Sequence, residues 1–293
     1  MTKGVRWRAL ALLASILSAP HVASDVSEAE LARLRGKREY AASELQFLHI
    51  PKTAGGSIEA MIGRACAPMH AARTIQCFHG SGRGSLPAQA AVSCSPWHVP
   101  PRLLAPNPYA AARTWCVVRN PLDRALSSFK MVHAGREDAG AALANDWLRA
   151  TYSRLMYSPP WEQQLGEPKR SAPWIVDDCH HLPQAAYVWD AAGARTCGRV
   201  LRFEALGEEF DRLMASVNVS FAWAKAERMQ HHGRSNVTTA DLAPRVRALI
   251  EHVYLEDFCR LGYPTEFANC TGASGGGGRG PPAASIARVP YRL

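Results

Sequence analysis

The sequence predicts an α/β fold in which a central parallel sheet is flanked by helices. Short apolar runs, typical of buried strands, alternate along the chain with segments of helical periodicity. Two of these runs, 45–50 and 114–118, lead through turn residues straight into a helix. The 293 residues suffice for a substantial core, and a 47% apolar share is ordinary for a globular protein.

The predicted elements follow one another with long loops between them. The expected strands are Leu45–Ile50, Thr114–Val118, Ala186–Trp189 and Val200–Phe203. The expected helices are Ile58 to about Arg64, an interrupted helix from near Leu122 to about Tyr157, Glu208–Val217 and Ala240–Tyr254. Residues 67–112 and 158–183 are rich in glycine, proline or both, which indicates loops.

The N-terminus is typical of a targeting segment. Lys3, Arg6 and Arg8 precede an apolar run over residues 9–19, and small residues follow it. Residues 1–24 are therefore expected to be a signal peptide or a short membrane anchor. Residues 25–44 are expected to form a stem, residues 45–270 the folded domain, and residues 271–293 a flexible Gly/Pro-rich tail.

Glycosylation sequons and cysteines also favour the secretory pathway. The sequons begin at Asn218, Asn236 and Asn269. Eight cysteines are an even number, as a disulfide framework requires, and they contain no CxxC pair typical of a zinc ribbon. Among the cysteines nearest in sequence, Cys66/Cys77, Cys179/Cys197 and Cys259/Cys270, the last two pairs are the expected bridges. Cys116 lies in an apolar strand and is expected to be a buried free thiol.

The formal charge of +9 predicts attraction to polyanions. Nucleotides, nucleic acid, acidic glycans and anionic membranes all fit that charge. The secretory signals argue against nucleic acid, and no DNA- or RNA-binding motif is present. No His, Cys or carboxylate cluster has the spacing of a metal site, so no metal is expected.

A first candidate phosphate-binding segment is HIPKTAGGS, residues 49–57. It lies between a predicted strand and a predicted helix, where glycines let backbone N–H groups and a helix N-terminus face an anion. Lys52 could reach a phosphate oxygen, and Ser57 could donate a hydroxyl. A Walker A loop is excluded because the lysine precedes the glycines. A simple glycine turn with a surface lysine is the alternative.

A second candidate segment is VVRNPLDRALS, residues 117–127. Arg119 leaves the carboxyl end of a buried strand, where α/β folds bind ligands. Ser127 lies on the following helix, and the two side chains could hold a second phosphate. Alternatively, Arg119 caps the strand and pairs with Asp123.

Together these segments resemble the nucleotide-binding elements of sulfotransferases that use PAPS (3′-phosphoadenosine 5′-phosphosulfate). PKTAGGS is similar to their 5′-phosphosulfate loop, and VVRNPLDRALSSF is similar to their 3′-phosphate segment. The resemblance is to the Golgi carbohydrate sulfotransferases, including heparan sulfate 2-O- and 6-O-sulfotransferases and algal or protist relatives. It extends to HLPQ at residues 181–184, RFEAL at 202–206 and YLEDF through GYP at 254–264, so it spans roughly residues 45–266.

The resemblance implies a P-loop-like three-layer fold and a sulfotransferase domain over residues 45–270. It implies that the 5′-phosphosulfate is cradled by Lys52, Thr53, Ala54, Gly55, Gly56 and Ser57. It assigns the 3′-phosphate to Arg119 and Ser127, and the sulfuryl group to a glycan hydroxyl or amine. The resemblance implies that the acceptor is an acidic or neutral glycan. It also implies that the enzyme is located in the Golgi lumen as a membrane-anchored protein, or is secreted.

A hydroxyl acceptor also needs a general base, and His98 is the first candidate. It lies between the two segments in SPWHVP, and the resembled enzymes carry a base histidine in this interval. Packing against Trp97 is the structural alternative. Glu59, just beyond the loop serine, and His79 are rivals for the same role, and Glu59 could equally be a charge of the first helical turn.

Other functions remain open on the sequence alone. A sulfotransferase could act on protein tyrosine or a small molecule. A P-loop kinase-like enzyme would need a Walker lysine and metal-binding carboxylates, which are not evident. A non-catalytic lumenal glycoprotein could bind acidic glycans through its arginine-rich surface. His180 and His181 could line the acceptor cleft, or they could be a surface pair in a loop. The segment His231–Ser235 departs from the corresponding loop of the resembled enzymes, so it is assigned no role.

Overall fold

Three short parallel strands form the centre of the protein. The computed structural model describes residues 45–59, 94–104, 107, 109, 113–164, 172–217, 235–266 and 270. The strands are β1 (Leu45–Leu48), β2 (Arg113–Val118) and β3 (Arg199–Arg202). They lie in the order β1-β2-β3, with Phe47 opposite Trp115 and Val117 opposite Leu201. The predicted mixed α/β fold with a parallel sheet is confirmed.

Six helices with defined bounds lie in the described residues. They are α1 (Pro121–Val132), α2 (Ala141–Met156), α3 (Ala185–Val188), α4 (Leu206–Ser216), α5 (Pro244–Val253) and α6 (Leu255–Leu261). Residues 55–59 are also helical. Short 3₁₀ turns occur at Pro96–His98, Pro101–Leu103, Trp161–Gln164, Phe203–Ala205 and Thr239–Asp241.

Hydrophobic clusters cover both faces of the sheet because strand side chains alternate in direction. Trp115 and Val117 pack into one cluster, together with α4 residues such as Phe210. Cys116 and Val118 point into the other, which the buried residues of α1, α2, α5 and α6 complete. The sheet is therefore a buried layer with helices on either side.

Polar side chains mark the start of α1 and of the 3₁₀ turn ahead of α5. The Asn120 side chain accepts a hydrogen bond from Leu122 N at 2.9 Å, and Pro121 occupies the first turn of α1. The predicted helix from Ala240 instead begins at Pro244. The Thr238 and Asp241 side chains close a capping box around a 3₁₀ turn ahead of it.

The predicted strand Ala186–Trp189 is wrong, since α3 covers most of it. A short, fully buried apolar run is compatible with either structure. Here the Asp257 carboxylate accepts hydrogen bonds from Gln184 N (2.8 Å) and Ala185 N (2.7 Å). A carboxylate at this position favours the start of a helix, and it comes from α6, distant in sequence.

Three disulfides are present in the described residues, and only one was predicted. Cys259–Cys270 is confirmed. The expected Cys179–Cys197 bridge is wrong, because Cys179 pairs with Cys94 and Cys197 with Cys116. The prediction that Cys116 is a free thiol is wrong for the same reason. These bridges indicate an oxidising, secretory-type environment.

Several predicted features lie outside the described residues. They are the signal or anchor segment 1–24, the stem 25–44, the tail 271–293, the Cys66/Cys77 pair, His79 and the 231–234 part of the histidine-containing loop. Of the sequon asparagines, Asn236 is described, and it is exposed. Within the described part of the chain, no helix has the length and apolar character needed to cross a membrane.

Candidate functional site

The site lies where the carboxyl ends of the three strands meet. The segment after β1 carries Lys52, the segment after β2 begins with Arg119, and β3 is followed directly by Phe203. The carboxyl edge of a parallel sheet is the usual ligand-binding edge of open α/β folds.

The loop after β1 has an unusual backbone. Lys52 (φ 68°) and Ala54 (φ 77°) are both left-handed, on either side of Thr53. The Thr53 hydroxyl donates to Ile50 O at 2.8 Å, and Ile58 N donates to Ala54 O at 3.0 Å. Thr53 is buried, so its hydroxyl stabilises the turn and only its backbone remains to bind an anion. Left-handed conformations at non-glycine residues cost about 1–3 kcal/mol each and concentrate at functional sites.

Gly55 is required by the close approach of His49. A Cβ at Gly55 would lie 2.3–2.6 Å from ring atoms of His49, far inside contact distance. At Gly56 a Cβ would meet nothing within 4 Å. The His49 ring in turn places Nδ1 2.6 Å from Glu59 Oε1. Gly56 is exposed and Ser57 half-buried at the start of this helix, which leaves them beside solvent.

The segment after β2 is held by its backbone. Gln184 accepts from Arg119 N at 2.9 Å and donates to Arg119 O at 2.8 Å. The Arg119 guanidinium stacks over the ring of Phe203, with 3.9 Å between its Cζ and the ring centroid. Asn120 N donates to Glu204 at 2.6 Å. The HLPQ, RFEAL and YLEDF segments thus converge on Arg119, with Asp257 fixing Gln184.

Arg124 connects two parts of the site. Its side chain is buried, with the residue 1% exposed, on the inner face of α1. Nε donates to Pro51 O and Nη2 donates to His180 O, both at 2.9 Å. Nη1 is buried and has no hydrogen-bond partner among the described residues. Arg124 therefore fastens the loop after β1 to the segment around His180.

Lys52, Arg119 and Arg124 form what we call the cationic cluster. Burial lowers the pKa of Lys52 to about 8, and the charges of Arg119 and Arg124 act in the same direction. Burial also lowers the pKa of Arg119, against the opposing effects of Asp123 and Glu204. Burial penalises the positive charges of Lys52 and Arg119, and Lys52 also has two guanidinium groups nearby, so the cluster favours an anionic ligand.

Ser127 lies one helical turn beyond Asp123 on α1 and is half-buried. Residues four apart share a helix face, so Ser127 and Asp123 face the same way. Asp123 is electrostatically coupled to Arg119. The charge of Asp123 thus acts on Arg119, and Ser127 lies on the same face of α1 as Asp123.

A second group of side chains, the histidine cluster, comprises His49, His98 and His180. Ring centroids are 4.8 Å apart for His49 and His98 and 4.9 Å apart for His98 and His180. His98 Nδ1 lies 2.8 Å from Asp178 Oδ2. The Trp97 ring also packs edge-on against His98 at 5.9 Å, so His98 has the aromatic neighbour that the sequence suggested.

Asp178 fixes the tautomer of His98. Burial alone would raise the pKa of Asp178, but hydrogen bonds from His98 and from Ser95 N hold it well below its usual range. An ionised carboxylate only accepts, so His98 Nδ1 carries the proton that it shares with Asp178. Nε2 of a neutral His98 then holds the free lone pair, as a general base requires.

The segment that carries Asp178 is unusual and tightly fixed. Asp177, Asp178 and Cys179 are three consecutive left-handed residues, with φ between 56° and 64°. The Cys94–Cys179 disulfide ties this segment to the residues just before His98. The Tyr187 hydroxyl also donates to His98 O at 2.6 Å. The His98–Asp178 contact is therefore held from both of its sides.

The neighbouring histidines 180 and 181 have different environments. Burial, then the charges of His98 and Lys52, lower the pKa of His180 to about 3, so its imidazole is neutral near pH 7. His181 is 1% exposed, lies 3.3 Å from Asp177, and packs against the Trp147 and Tyr152 rings. His180 belongs to the site, whereas His181 belongs to the core.

Among the described residues, one group of side chains lies close enough together to hold a metal ion. It consists of His98, Asp178 and His180. Each offers one ligand atom, and these atoms lie within 4.8 Å of one another. The sequence showed no such cluster, because its members come together only through folding. The charge of Lys52, which acts on His180, opposes a bound cation at this position.

The structure brings most of the predicted site residues together. Lys52 and Arg119 share the cationic cluster, while His98 and Glu59 both contact His49. Asp178, Arg124, Gln184 and Phe203 were not predicted as site residues, although Gln184 and Phe203 lie in the HLPQ and RFEAL segments. Arg124 lies within the recognised 117–127 segment, so the signal for it was a second arginine on the buried face of α1. Asp178 had no local signal, since its partner is 80 residues away.

Comparisons with known proteins add no relative. No protein-family model matches this sequence, and no similar protein is found among curated proteins or solved structures.

Proposed function

We propose that this protein is a sulfotransferase that moves a sulfuryl group from PAPS to a hydroxyl, or an amine, of a glycan. The observation that carries the proposal is the juxtaposition of the cationic cluster with an oriented His98–Asp178 pair at the carboxyl edge of the sheet. One part suits a polyanionic donor, and the other suits deprotonation of an acceptor.

The donor assignment rests on charge and backbone shape. The loop with left-handed Lys52 and Ala54 precedes a helix N-terminus, an arrangement that presents N–H groups to phosphate. Lys52 has two guanidinium neighbours whose repulsion an anion would relieve. In this proposal Lys52 faces the 5′-phosphosulfate, and Arg119 with Ser127 faces the 3′-phosphate.

The reaction would be an in-line displacement at sulfur. The acceptor oxygen forms the new S–O bond while the bond from sulfur to the 5′-phosphate oxygen breaks. The electron pair stays on that phosphate oxygen, where Lys52 stabilises the developing charge. The acceptor proton moves to His98 Nε2, and Asp178 stabilises the resulting imidazolium. General-base catalysis of this kind contributes about 10²–10⁴-fold in rate.

Glu59 has a different role in this proposal from the catalytic one that the sequence suggested. Its carboxylate lies 2.6 Å from His49 Nδ1, so it positions His49 beside His98 and Gly55.

The proposal includes a P-loop-like fold and a location in the Golgi. The protein would be held there by an N-terminal membrane anchor, or it would be secreted.

Calorimetric titration of the purified full chain with PAP, the desulfated product, tests the donor site. We expect binding without metal and no change on adding Mg²⁺. Lys52→Ala and Arg119→Ala should each weaken binding by about 1–3 kcal/mol, as lost charged hydrogen bonds do. Arg136→Ala and Arg149→Ala, which remove exposed arginines elsewhere, are the matched controls.

Failure to bind PAP by a protein with a normal unfolding transition would contradict the proposal. Binding that requires Mg²⁺ would favour a kinase-like enzyme. PAP binding without sulfate transfer to any glycan, tyrosine peptide or small hydroxyl compound would favour a non-catalytic glycoprotein.

A further inference from the structure

A second positively charged site lies beside β3. A cavity of about 380 Å³ is lined by four arginines, Arg195, Arg199, Arg202 and Arg260, together with apolar residues such as Trp189 and Leu261. No acidic residue lines it within the described part of the chain. It shares no lining residue with the cationic or histidine clusters.

Arg260 has buried donors that no protein group satisfies among the described residues. Its side chain is 6% exposed, and its guanidinium stacks over Trp189, with 4.0 Å between Cζ and the ring centroid. Nη1 donates to Glu256 Oε1 at 2.8 Å. Nε and Nη2 are buried and have no hydrogen-bond partner in the described part of the chain. Buried charged donors without a partner are strongly destabilising unless a ligand satisfies them.

Arg202 is also held in a fixed position. Its guanidinium lies over the Tyr263 ring, 4.6 Å from the centroid, and Nη2 donates to Leu261 O. Arg195 and Arg199 are exposed and can adjust to a ligand. The pocket therefore combines two ordered guanidinium groups with two adaptable ones.

We propose that this pocket binds a tetrahedral oxyanion group, a sulfate or phosphate ester, separately from the PAPS site. Guanidinium groups recognise such oxyanions through paired, charge-assisted hydrogen bonds. The cavity is larger than a single sulfate ion, so it has room for part of the molecule that carries the ester. The proposal goes beyond the sulfotransferase assignment and holds whether or not that assignment is correct.

Unfolding of the full chain in sodium sulfate, against sodium chloride at equal ionic strength, tests the pocket. A ligand that binds only the folded state raises the unfolding temperature. Because sulfate also stabilises proteins nonspecifically, the informative quantity is the difference between variants. The test variant is Arg195→Gln/Arg199→Gln, which alters exposed side chains and should preserve the fold. The control is Arg136→Gln/Arg149→Gln, at two exposed arginines outside the pocket.

We expect the pocket variant to lose most of the sulfate-specific stabilisation and the control to keep it. Calorimetry with an O-sulfated disaccharide should show at least about tenfold weaker binding to the pocket variant, as lost charge-assisted hydrogen bonds predict. Arg260→Gln should show the same loss, and Arg260→Lys should recover part of the binding because it restores the charge.

Two further measurements distinguish sulfate binding in this pocket from sulfate binding at the PAPS site. The difference in sulfate response made by Arg195→Gln/Arg199→Gln should persist in a Lys52→Ala/Arg119→Ala background, because that background removes sulfate binding at the cationic cluster only. Inorganic phosphate in place of sulfate tests whether the pocket is a phosphate site. The unsulfated disaccharide tests whether the pocket recognises the sugar without its sulfate ester. An equal sulfate response in the wild type and the Arg195→Gln/Arg199→Gln variant overturns the proposal, as does disappearance of the difference between them in the Lys52→Ala/Arg119→Ala background.

Discussion

The cationic cluster and the histidine cluster lie side by side but are built in different ways. The cationic cluster comes from two continuous segments, each joined directly to the end of a strand. The histidine cluster takes His49, His98 and His180 from separate segments, with a disulfide holding two of them. A site attached to strand ends can be recognised in a sequence, whereas a site assembled across loops depends on long-range contacts.

The two clusters should therefore respond differently to substitution. Changes in the cationic cluster should alter nucleotide affinity, whereas changes in the histidine cluster should alter the rate of transfer with little effect on that affinity. Four experiments test this division, beginning with the largest expected effect.

His98→Ala should lower kcat for sulfate transfer by about 10²–10⁴-fold, because it removes the general base that takes the proton from the acceptor hydroxyl. PAP affinity should change less than about twofold, since His98 is outside the cationic cluster. Steady-state kinetics with saturating donor, beside PAP calorimetry, measure both quantities, and His252→Ala on α5 is the control. A large loss of PAP affinity in His98→Ala would show that the two clusters are not separable.

Removing the Cys94–Cys179 bridge should destabilise the fold by about 4–5 kcal/mol, and removing Cys259–Cys270 by about 3 kcal/mol. The bridge that closes the longer loop restricts the unfolded chain more, so its removal increases the entropy of the unfolded state more. The bridges close sequence separations of 85 and 11 residues. Paired cysteine-to-serine variants and chemical denaturation measure these losses. At temperatures where both variants are folded, only the first should slow transfer. Equal slowing in both would argue against a specific role for this bridge at His98.

Gly55→Ala should cost about 1–3 kcal/mol of folding stability, as overpacking does, because its Cβ would collide with the His49 ring. Gly56→Ala is the matched control, since its Cβ meets open space and alanine favours a helix. Thermal unfolding of both variants checks the contrast. Similar stabilities for the two variants would mean that His49 moves away freely and does not link the clusters.

PAP affinity should fall by about tenfold between pH 7 and pH 9.5, because Lys52 loses its proton as the pH rises through its lowered pKa of about 8. The sign follows from the ligand: an anion binds the protonated lysine, and binding in turn raises the lysine pKa. Calorimetry across this pH range measures the slope. Lys52→Ala should show a much flatter profile, and an unchanged profile in that variant would assign the titration to another group.

The fold was predictable to the extent that local patterns determine it. The three strands were expected, each end within two residues of the observed one, because apolar runs followed by turns are local signals. The helix Ala185–Val188 was not, because the hydrogen bonds that start it come from Asp257 on a distant helix.

The same distinction applies to the site. Lys52, Arg119 and His98 were expected from short segments, whereas Asp178 and His180 carry no local pattern that links them to His98. Disulfide pairing failed for the same physical reason. Cys179 lies close in sequence to Cys197, but folding places it beside Cys94, and spacing along the chain does not encode that distance.

The hydrogen bonds of Arg124 have a consequence for how this protein can vary over generations. One rigid, planar group holds the carbonyl oxygens of Pro51 and His180. A heritable change that moves either carbonyl is transmitted to the other through a single side chain. The loop after β1 and the segment around His180 are thus expected to diversify together, in lineages that keep this arginine.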